Sequence, residues 1–280
     1  MASLAAANSR CCDQLLVMIL SGCSLLPAPR DETKSWSQQR LFAAAKEAMD
    51  ESNWEKATSY YDKLLARYPF GRMAQQAFLD KAYCHYRDSE PDAAITTLNR
   101  FLKTYPKHPY GDYAYYLKGL ANFTRDRGLV ERFLPMDESQ RDPGSTLDAF
   151  NDFAQVVKRY PNGPYAEDAR QRMVYLRNNM ALHEVNVARW YLRRGAYLAA
   201  INRAQNVIKH YQGTDQQRNA LQLIITAYDR LGLTDLRDDV IRVMQANFPN
   251  ADPHAYQPPE PSPWDSLLFW REDKGAAAGF

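Results

Sequence analysis

Residue types that often carry catalysis are present in the chain, but their spacing does not build a catalytic site. The five histidines are scattered, at positions 85, 108, 183, 210 and 254. The sequence contains no H-E-x-x-H metal motif, no G-x-S-x-G nucleophile motif and no glycine-rich phosphate loop. Asp238 and Asp239 are adjacent on a predicted helix, so their carboxylates point in different directions and are poorly placed to flank one substrate bond. We therefore predict that the protein is not an enzyme and uses no cofactor.

Cysteine is the most informative of the reactive residue types. The chain has four cysteines, and Cys84 stands in a helical context that predicts a core thiol. Cys11 and Cys12 lie in a segment that we expect to be removed. Cys23 follows an apolar run at 15–20, which itself comes after a single basic residue. This order is typical of a signal peptide, and a frayed N-terminal extension is the alternative.

The tetrapeptide Leu20-Ser21-Gly22-Cys23 resembles a bacterial lipobox. In such signals the Cys thiol carries a diacylglycerol, the new N-terminus is acylated, and the cysteine begins the mature protein. The resemblance implies that Cys23 is the lipidation site and that Ser24 favours sorting to the outer membrane. Beyond residue 20, no apolar stretch approaches the roughly 20 residues that a membrane-spanning helix needs. We expect 1–22 to be a lipoprotein signal peptide and 23–37 to be a flexible tether.

Composition and charge exclude some classes of protein. The 280 residues are 45% hydrophobic and 24% charged, which is ordinary for a globular protein. The net charge is +2, from 35 Lys and Arg against 33 Asp and Glu, so the chain lacks the basic excess of a nucleic-acid-binding protein. Only 12 glycines are present, which argues against a turn-rich all-β fold.

A recurring aromatic–proline phrase indicates helical repeats. It reads RYP at 67–69, TYP at 104–106, RYP at 159–161 and NFP at 247–249, with HYQ at 210–212 as a variant. Counting back 12 residues from Pro69 gives Ala57, and another 12 gives Ala45. Small residues where two helices cross, and Pro where the second helix ends, form the tetratricopeptide (TPR) pattern. The sequence therefore predicts an all-α TPR solenoid of about five helical hairpins.

Two irregularities in the spacing predict an insertion and a long helix. In the third repeat, the two small residues at the helix crossing are Gly119 and Ala149. They are 30 residues apart instead of 12, so 18 residues are inserted. The step from Pro161 to Ala188 is 27 residues where the other repeats have 13, and the extra 14 make nearly four helical turns. We predict one long helix over 164–193 that leads into the fourth repeat. A break near Asn178-Asn179 is the alternative.

The same register sets the predicted domain boundaries. The TPR domain spans 38–250, and its approximate repeats are 38–71, 75–108, 112–163, 164–214 and 218–250. The proline-rich residues 251–280 predict a disordered tail, because proline prevents the helix from continuing. Within this tail, WDSLLFW is a candidate docking segment.

In a TPR solenoid, the first helix of each hairpin lines a concave groove. Six aromatic residues are predicted on that face, where they would bind an extended peptide: Phe42, Tyr83, Tyr86, Tyr113, Tyr116 and Phe123. Aromatic side chains give large contacts at a small entropic cost, because they have only two torsions. The alternative is that several of these residues belong to the core between repeats. Phe42, Lys46 and Asp80 do not match the carboxylate clamp of the TPR domains of cytosolic chaperones.

Longer stretches of the chain resemble one known family. They are RGLVERFLPMDESQRDPGSTLDAFNDFAQVVKRYPNGPYAEDARQRMVYL, VARWYLRRGAYLAAINRAQNVIKHY and ARYPFG. Together with the lipobox, these stretches are similar to the BamD (ComL) family, lipoproteins of the outer-membrane β-barrel assembly machinery. The resemblance covers about residues 20–250, and DESQRDP and RRGAYLAAINR are its most specific parts.

The resemblance implies a non-enzymatic scaffold of five TPRs, anchored by lipid to the periplasmic face of the outer membrane. The N-terminal repeats would contact unfolded outer-membrane β-barrel proteins through their C-terminal, aromatic-ended signal, and BamC would dock near the same half. The C-terminal repeats would bind the last periplasmic domain of BamA, with BamE nearby.

The resemblance also singles out Arg203, which matches a family arginine implicated in the BamA contact. A guanidinium suits such a contact because it can bind a carboxylate with two parallel hydrogen bonds. A plain surface position is the alternative for Arg203. For the whole protein, the alternative function is that of a peptidoglycan-associated lipoprotein with a structural or competence-related role.

Overall fold

The computed structural model describes residues 32–125 and 143–256. These residues form one short 3₁₀-helix, Glu32–Ser35, and ten α-helices, with no strand among them. The α-helices are α1 (Gln38–Asp50), α2 (Trp54–Arg67), α3 (Arg72–Arg87), α4 (Pro91–Thr104), α5 (Gly111–Thr124), α6 (Pro143–Arg159), α7 (Ala166–Arg193), α8 (Tyr197–His210), α9 (Gln216–Arg230) and α10 (Thr234–Asn247).

Each helix packs against the next one, and the helices pair as five successive hairpins from α1–α2 to α9–α10. The first helices of neighbouring hairpins also touch, as α1 does with α3, α3 with α5, and α7 with α9. Side-by-side first helices are the arrangement that gives a TPR solenoid its inner face. The prediction of an all-α TPR solenoid is confirmed.

Small residues lie where the paired helices cross. Ala45 and Ala57 are fully buried at the crossing of α1 and α2, and Ala188 and Ala200 are buried at the crossing of α7 and α8. At Gly119 in α5, an added Cβ would come within 2.7 Å of the Phe153 ring in α6. The spacing therefore identified the positions where a larger side chain would push the helices apart.

The long helix is continuous. Helix α7 runs for 28 residues, which corresponds to about 42 Å at 1.5 Å per residue. The alternative of a break near Asn178-Asn179 is wrong, since both residues lie inside this helix. The insertion predicted between α5 and α6 falls almost wholly at 126–142, outside the described residues.

Residues before the first repeat pack against it, which corrects the predicted boundary of the tether at residue 37. Thr33 is buried, and the Arg67 guanidinium in α2 donates to its hydroxyl oxygen at 3.1 Å. The Trp36 ring lies 5.7 Å from the ring of Tyr60, also in α2. The folded domain therefore begins by residue 32, and the earlier tether residues lie outside the described part of the chain.

The boundary of the predicted tail at residue 251 is corrected in the same way. The Gln222 side chain in α9 donates to the Asp252 carbonyl oxygen at 2.8 Å. The Tyr256 ring packs on the core between α7, α8 and α9, and its centroid lies 5.8 Å from the Arg189 guanidinium. Residues 251–256 therefore belong to the folded domain, and the rest of the predicted tail, 257–280, lies outside the described residues.

Candidate binding surfaces

The predicted groove residues of the first two repeats are partly buried and touch core residues of neighbouring helices. Phe42 in α1 meets the Tyr61 ring edge-on, with 6.1 Å between the ring centroids. Tyr83 in α3 meets Trp54 edge-on, also at 6.1 Å, and its hydroxyl oxygen accepts a hydrogen bond from Arg87. Tyr86 packs against the same core. These side chains combine packing between helices with partial exposure.

The predicted groove residues of α5 face the beginning of α7. Tyr116 stacks on Tyr165 with ring centroids 4.8 Å apart, and Tyr113 lies 5.7 Å from the same ring. Phe123 meets Tyr175 edge-on at 6.1 Å. The sequence left open the alternative that several of the predicted groove residues belong to the core between repeats. The ring contacts of Tyr113, Tyr116 and Phe123 agree with that alternative. A role in binding remains a proposal for them.

A pocket that the sequence analysis did not identify lies between α1, the start of α3 and the turn that joins α4 to α5. We call it the turn cavity. It has a volume of about 1010 Å³ and is lined by Phe42, Arg72, Met73, Gln75, Gln76 and residues 105–110. Phe42 is the only predicted groove residue on its wall. The sequence signal that could have located it is YPKHPY, a turn of aromatic and proline residues rather than a helix face.

The turn cavity is positively charged at its rim. Arg72 and Lys107 line it and form no ion pair with any described residue, and no carboxylate is among its lining residues. Helix α3 begins at Arg72, and its N-cap residue Gly71 makes no side-chain cap, so the N–H groups of the first turn remain available. Phe70, just before this helix, is 77% exposed. Such a site suits a ligand that carries both an apolar group and a carboxylate.

A buried carboxylate explains why Lys46 is not a peptide clamp. Asp80 in α3 is 7% exposed and accepts hydrogen bonds from Tyr61 at 3.2 Å and Gln76 at 2.8 Å. Lys46 lies 3.6 Å from the same carboxylate. Its charge therefore compensates Asp80. Burial, together with the Asp80 charge, raises the pKa of the nearby Tyr61 hydroxyl.

Cys84 is a core thiol, as predicted. Its side chain is fully buried, and it forms no disulfide. Burial, reinforced by the charge of Asp80, raises the pKa of the Cys84 thiol to about 12. The thiolate needed for reaction is therefore absent at neutral pH.

Arg203 lies on α8 and is paired within the chain. Its Nη1 atom is 3.3 Å from the nearer carboxylate oxygen of Glu184 in α7. The Arg203 side chain is 46% exposed, whereas Glu184 is only 12% exposed. The guanidinium therefore pairs with a largely buried carboxylate through one nitrogen, and part of it faces solvent.

The remaining predicted sites add no chemistry to these surfaces. Cys23 lies outside the described residues. Asp238 and Asp239 are exposed and pair with Arg237 and Arg242 on the same helix. In the described ranges there is no cluster of three His, Cys, Asp or Glu side chains that could hold a metal ion. None of the helices found there combines the length and the apolar character that a membrane crossing requires.

Comparison with known proteins identifies close relatives of the chain. A family profile described as outer membrane lipoprotein, YfiO, matches residues 34–243. The outer membrane protein assembly factor BamD of Neisseria meningitidis serogroup A is 41% identical over 241 residues, which covers 85% of this chain and 88% of that protein. The assembly factor BamD of Vibrio cholerae is 36% identical over 233 residues, covering 83% and 95%.

Similarity to solved structures is weaker. A crystal structure of MamA is 17% identical, with a TM-score of 0.37 and coverage of 77% of this chain and 97% of MamA. The family match is the more informative result, because residues 34–243 include both the turn cavity and Arg203.

Proposed function

This chain belongs to the YfiO family of outer membrane lipoproteins, and we propose that it is an outer membrane protein assembly factor that binds partners through two separate surfaces. The observation that carries the proposal is 41% identity to an assembly factor over 241 residues, which is 85% of this chain. The names of the relatives favour this function over that of a peptidoglycan-associated lipoprotein. In this proposal the protein is a scaffold and performs no chemical step.

The first surface is the inner face of the three N-terminal repeats. It takes the C-terminal segment of an unfolded outer-membrane β-barrel protein, with the chain end in the turn cavity. Phe42 supplies an aromatic wall for an apolar side chain. Arg72, Lys107 and the free N–H groups at the start of α3 attract the terminal carboxylate. Tyr83, Tyr86, Tyr113, Tyr116 and Phe123 extend the surface along α3 and α5, and BamC docks near this half.

The second surface surrounds Arg203 on α8. The ion pair with Glu184 uses one nitrogen of the guanidinium and leaves the side chain 46% exposed, so a carboxylate or backbone carbonyl of a partner can accept hydrogen bonds from the rest of it. We assign this surface to the periplasmic domain of BamA, with BamE nearby.

Lipid on Cys23 anchors the protein to the outer membrane, facing the periplasm. Eight residues, 24–31, separate Cys23 from the 3₁₀-helix. The nine residue steps from Cys23 to Glu32 reach at most about 32 Å, at 3.6 Å per residue. The anchor therefore keeps the N-terminal repeats, which include the turn cavity, close to the membrane in which the substrates are inserted.

Peptide binding tests the first surface. The probe is a fluorescent peptide copied from the C-terminal segment of an outer-membrane β-barrel protein, ending in Phe with a free carboxylate. We expect Arg72→Ala and Phe42→Ala each to weaken binding about tenfold, which corresponds to ~1.4 kcal/mol. Amidation of the peptide should reduce the effect of Arg72→Ala, because amidation removes the terminal carboxylate that we expect Arg72 to bind.

The matched control is Arg242→Ala, which removes an equally charged, exposed side chain from the last helix. It should leave the affinity unchanged. Equal affinity of the wild type and the folded Arg72→Ala and Phe42→Ala variants would rule out the turn cavity as the site of the chain end.

A further inference from the structure

His108 links the two walls of the turn cavity, which are formed by residues 105–110 and by the start of α3. His108 lies in the middle of the turn between α4 and α5, and its backbone closes that turn on both sides. Its N–H donates to the Tyr105 carbonyl oxygen at 3.1 Å, and its own carbonyl accepts the Gly111 N–H at 3.0 Å. Any change at His108 therefore reaches the wall formed by residues 105–110.

Both nitrogens of the His108 ring are engaged, and the contacts define its protonation state. The backbone N–H of Tyr110 donates to Nδ1 at 3.2 Å, so Nδ1 must carry a lone pair. The Nε2 atom lies 3.2 Å from the side-chain oxygen of Gln75 in α3, so the ring proton sits on Nε2 and is donated to Gln75. One neutral imidazole thus bridges the turn and the opposite wall.

The surroundings of the ring favour the neutral form. The ring packs against Phe101, Tyr105 and Tyr110, with centroid distances of 5.1, 6.3 and 5.6 Å. The charged groups that line the same cavity are the cations Arg72 and Lys107. None of the lining residues is a carboxylate that could stabilise an imidazolium. Burial lowers the pKa of His108 from its usual value of about 6.5.

We propose that His108 is the positioning residue of the turn cavity: its neutral ring links the α4–α5 turn to Gln75 of α3, and a second proton, on Nδ1, loosens that turn by breaking the contact with Tyr110 while the Nε2–H bond to Gln75 remains. Protonation places an N–H on Nδ1, directly opposite the N–H of Tyr110. Two donors then face each other, and the hydrogen bond that precedes the first turn of α5 is lost. The contacts of His108 do not depend on the proposed function. The expected effect on peptide binding does rest on the proposed function.

Two substitutions separate titration from hydrogen bonding at this position. His108→Asn keeps an acceptor, because the Asn Oδ1 atom takes the place of Nδ1, but it does not titrate. His108→Leu removes both the acceptor and the titration. His85→Asn is the matched control, since it makes the same substitution at a histidine that pairs with Glu90 near the end of α3, away from the turn.

The first measurement is NMR of the full chain between pH 7.5 and 5.0. At pH 7.5, the ¹⁵N shifts of His108 should show a proton on Nε2 and none on Nδ1. At pH 5.0, the Tyr110 amide of the wild type should exchange about fivefold faster, after correction for its intrinsic pH dependence, which is the effect of losing one neutral hydrogen bond. His108→Asn should show no such increase, and His85→Asn should behave like the wild type.

The second measurement is binding of the Phe-ended peptide in its amidated form, which removes the direct attraction between a carboxylate and an imidazolium. We expect wild-type affinity to fall about fivefold from pH 7.5 to 5.0. The affinity of His108→Asn should be independent of pH, and that of His108→Leu should be low at both values.

A proton on Nδ1 at pH 7.5, or an equal pH dependence of the wild type and His108→Asn, would overturn the assignment. If no peptide binds the wild type at pH 7.5, the proposed function of the cavity fails. The NMR measurement still decides the role of His108 in that case.

Discussion

At the scale of single residues, one carboxylate adds a hydrogen-bonded contact to the aromatic contacts between α5 and α7. Asp168 stands in the first turn of α7 and accepts a hydrogen bond from the Tyr116 hydroxyl at 2.6 Å and one from Arg172 at 2.5 Å. These two donors lower the pKa of Asp168, although partial burial acts in the opposite direction. Ionised Asp168 thus orients Tyr116, the ring that stacks on Tyr165.

The first prediction concerns the pH dependence of this contact. A carboxyl group whose pKa is lower in the folded state stabilises the fold above its unfolded pKa of about 3.9, and this contribution is lost as the pH falls through the folded pKa. Asp168→Asn should therefore lower the melting temperature at pH 7. The difference from the wild type should shrink as the pH falls below the unfolded pKa of about 3.9 and through the lower folded pKa.

The control for this prediction is the neighbouring Glu167→Gln, which removes an exposed pair with Arg170. Such a surface pair contributes little to stability, so the melting temperature should hardly change. A difference between the wild type and Asp168→Asn that is the same at pH 7 and pH 2.5 would contradict the role of the ionised carboxylate.

At the scale of elements, small residues determine how closely the helices of a hairpin approach. Gly119 in α5 shows this most clearly, because the Phe153 ring of α6 occupies the space of its missing Cβ. Phe153 is fully buried and cannot turn into solvent.

We predict that Gly119→Ala destabilises the fold by about 1–3 kcal/mol through overpacking, which urea denaturation would measure. Phe153→Leu shortens the opposing side chain. The double variant should therefore be more stable than the sum of the single effects predicts. Strictly additive effects would contradict the contact between Gly119 and Phe153.

The elements could be predicted from the sequence because their signals are local. Ala45, Ala57 and the proline at the end of α2 recur at a fixed spacing, and the 14 extra residues before Ala188 preserve the helical face. Helix α7 is continuous for the same reason. The order of helices and the positions of their crossings follow from these repeats alone.

The turn cavity could not be predicted in this way, because its walls are distant in sequence. His108 and Gln75 are 33 residues apart, and no helical period connects them. Residues 32–36 contact Arg67, and residues 251–256 contact Gln222, so these contacts also join distant parts of the sequence. The pairing of Arg203 with Glu184 likewise required knowledge of how α7 and α8 lie together.

At the scale of the whole molecule, the two proposed surfaces lie on different repeats of one solenoid. The turn cavity is built from the first two repeats and the turn that leads to the third, and Arg203 lies in the fourth. A scaffold with separate surfaces can hold a substrate and a membrane-embedded partner at the same time, which raises their effective concentration for each other.

We predict that Arg203→Ala reduces the recovery of BamA with the protein after mild detergent extraction, with no change in helical content. The exposed Arg218→Ala on α9 serves as the control, and it should leave recovery unchanged. Normal recovery with Arg203→Ala would leave Arg203 as an ordinary surface residue.

The central claim is that the N-terminal repeats bind outer-membrane β-barrel proteins before these fold. Site-specific photocrosslinking in growing cells tests it most directly, with a benzophenone amino acid at Lys107 on the turn cavity or at Asn99 on the exposed side of α4. We expect Lys107 to give adducts with newly made β-barrel proteins and Asn99 to give few or none. Adducts of equal yield from both positions, or none from Lys107 in functional protein, would contradict the account.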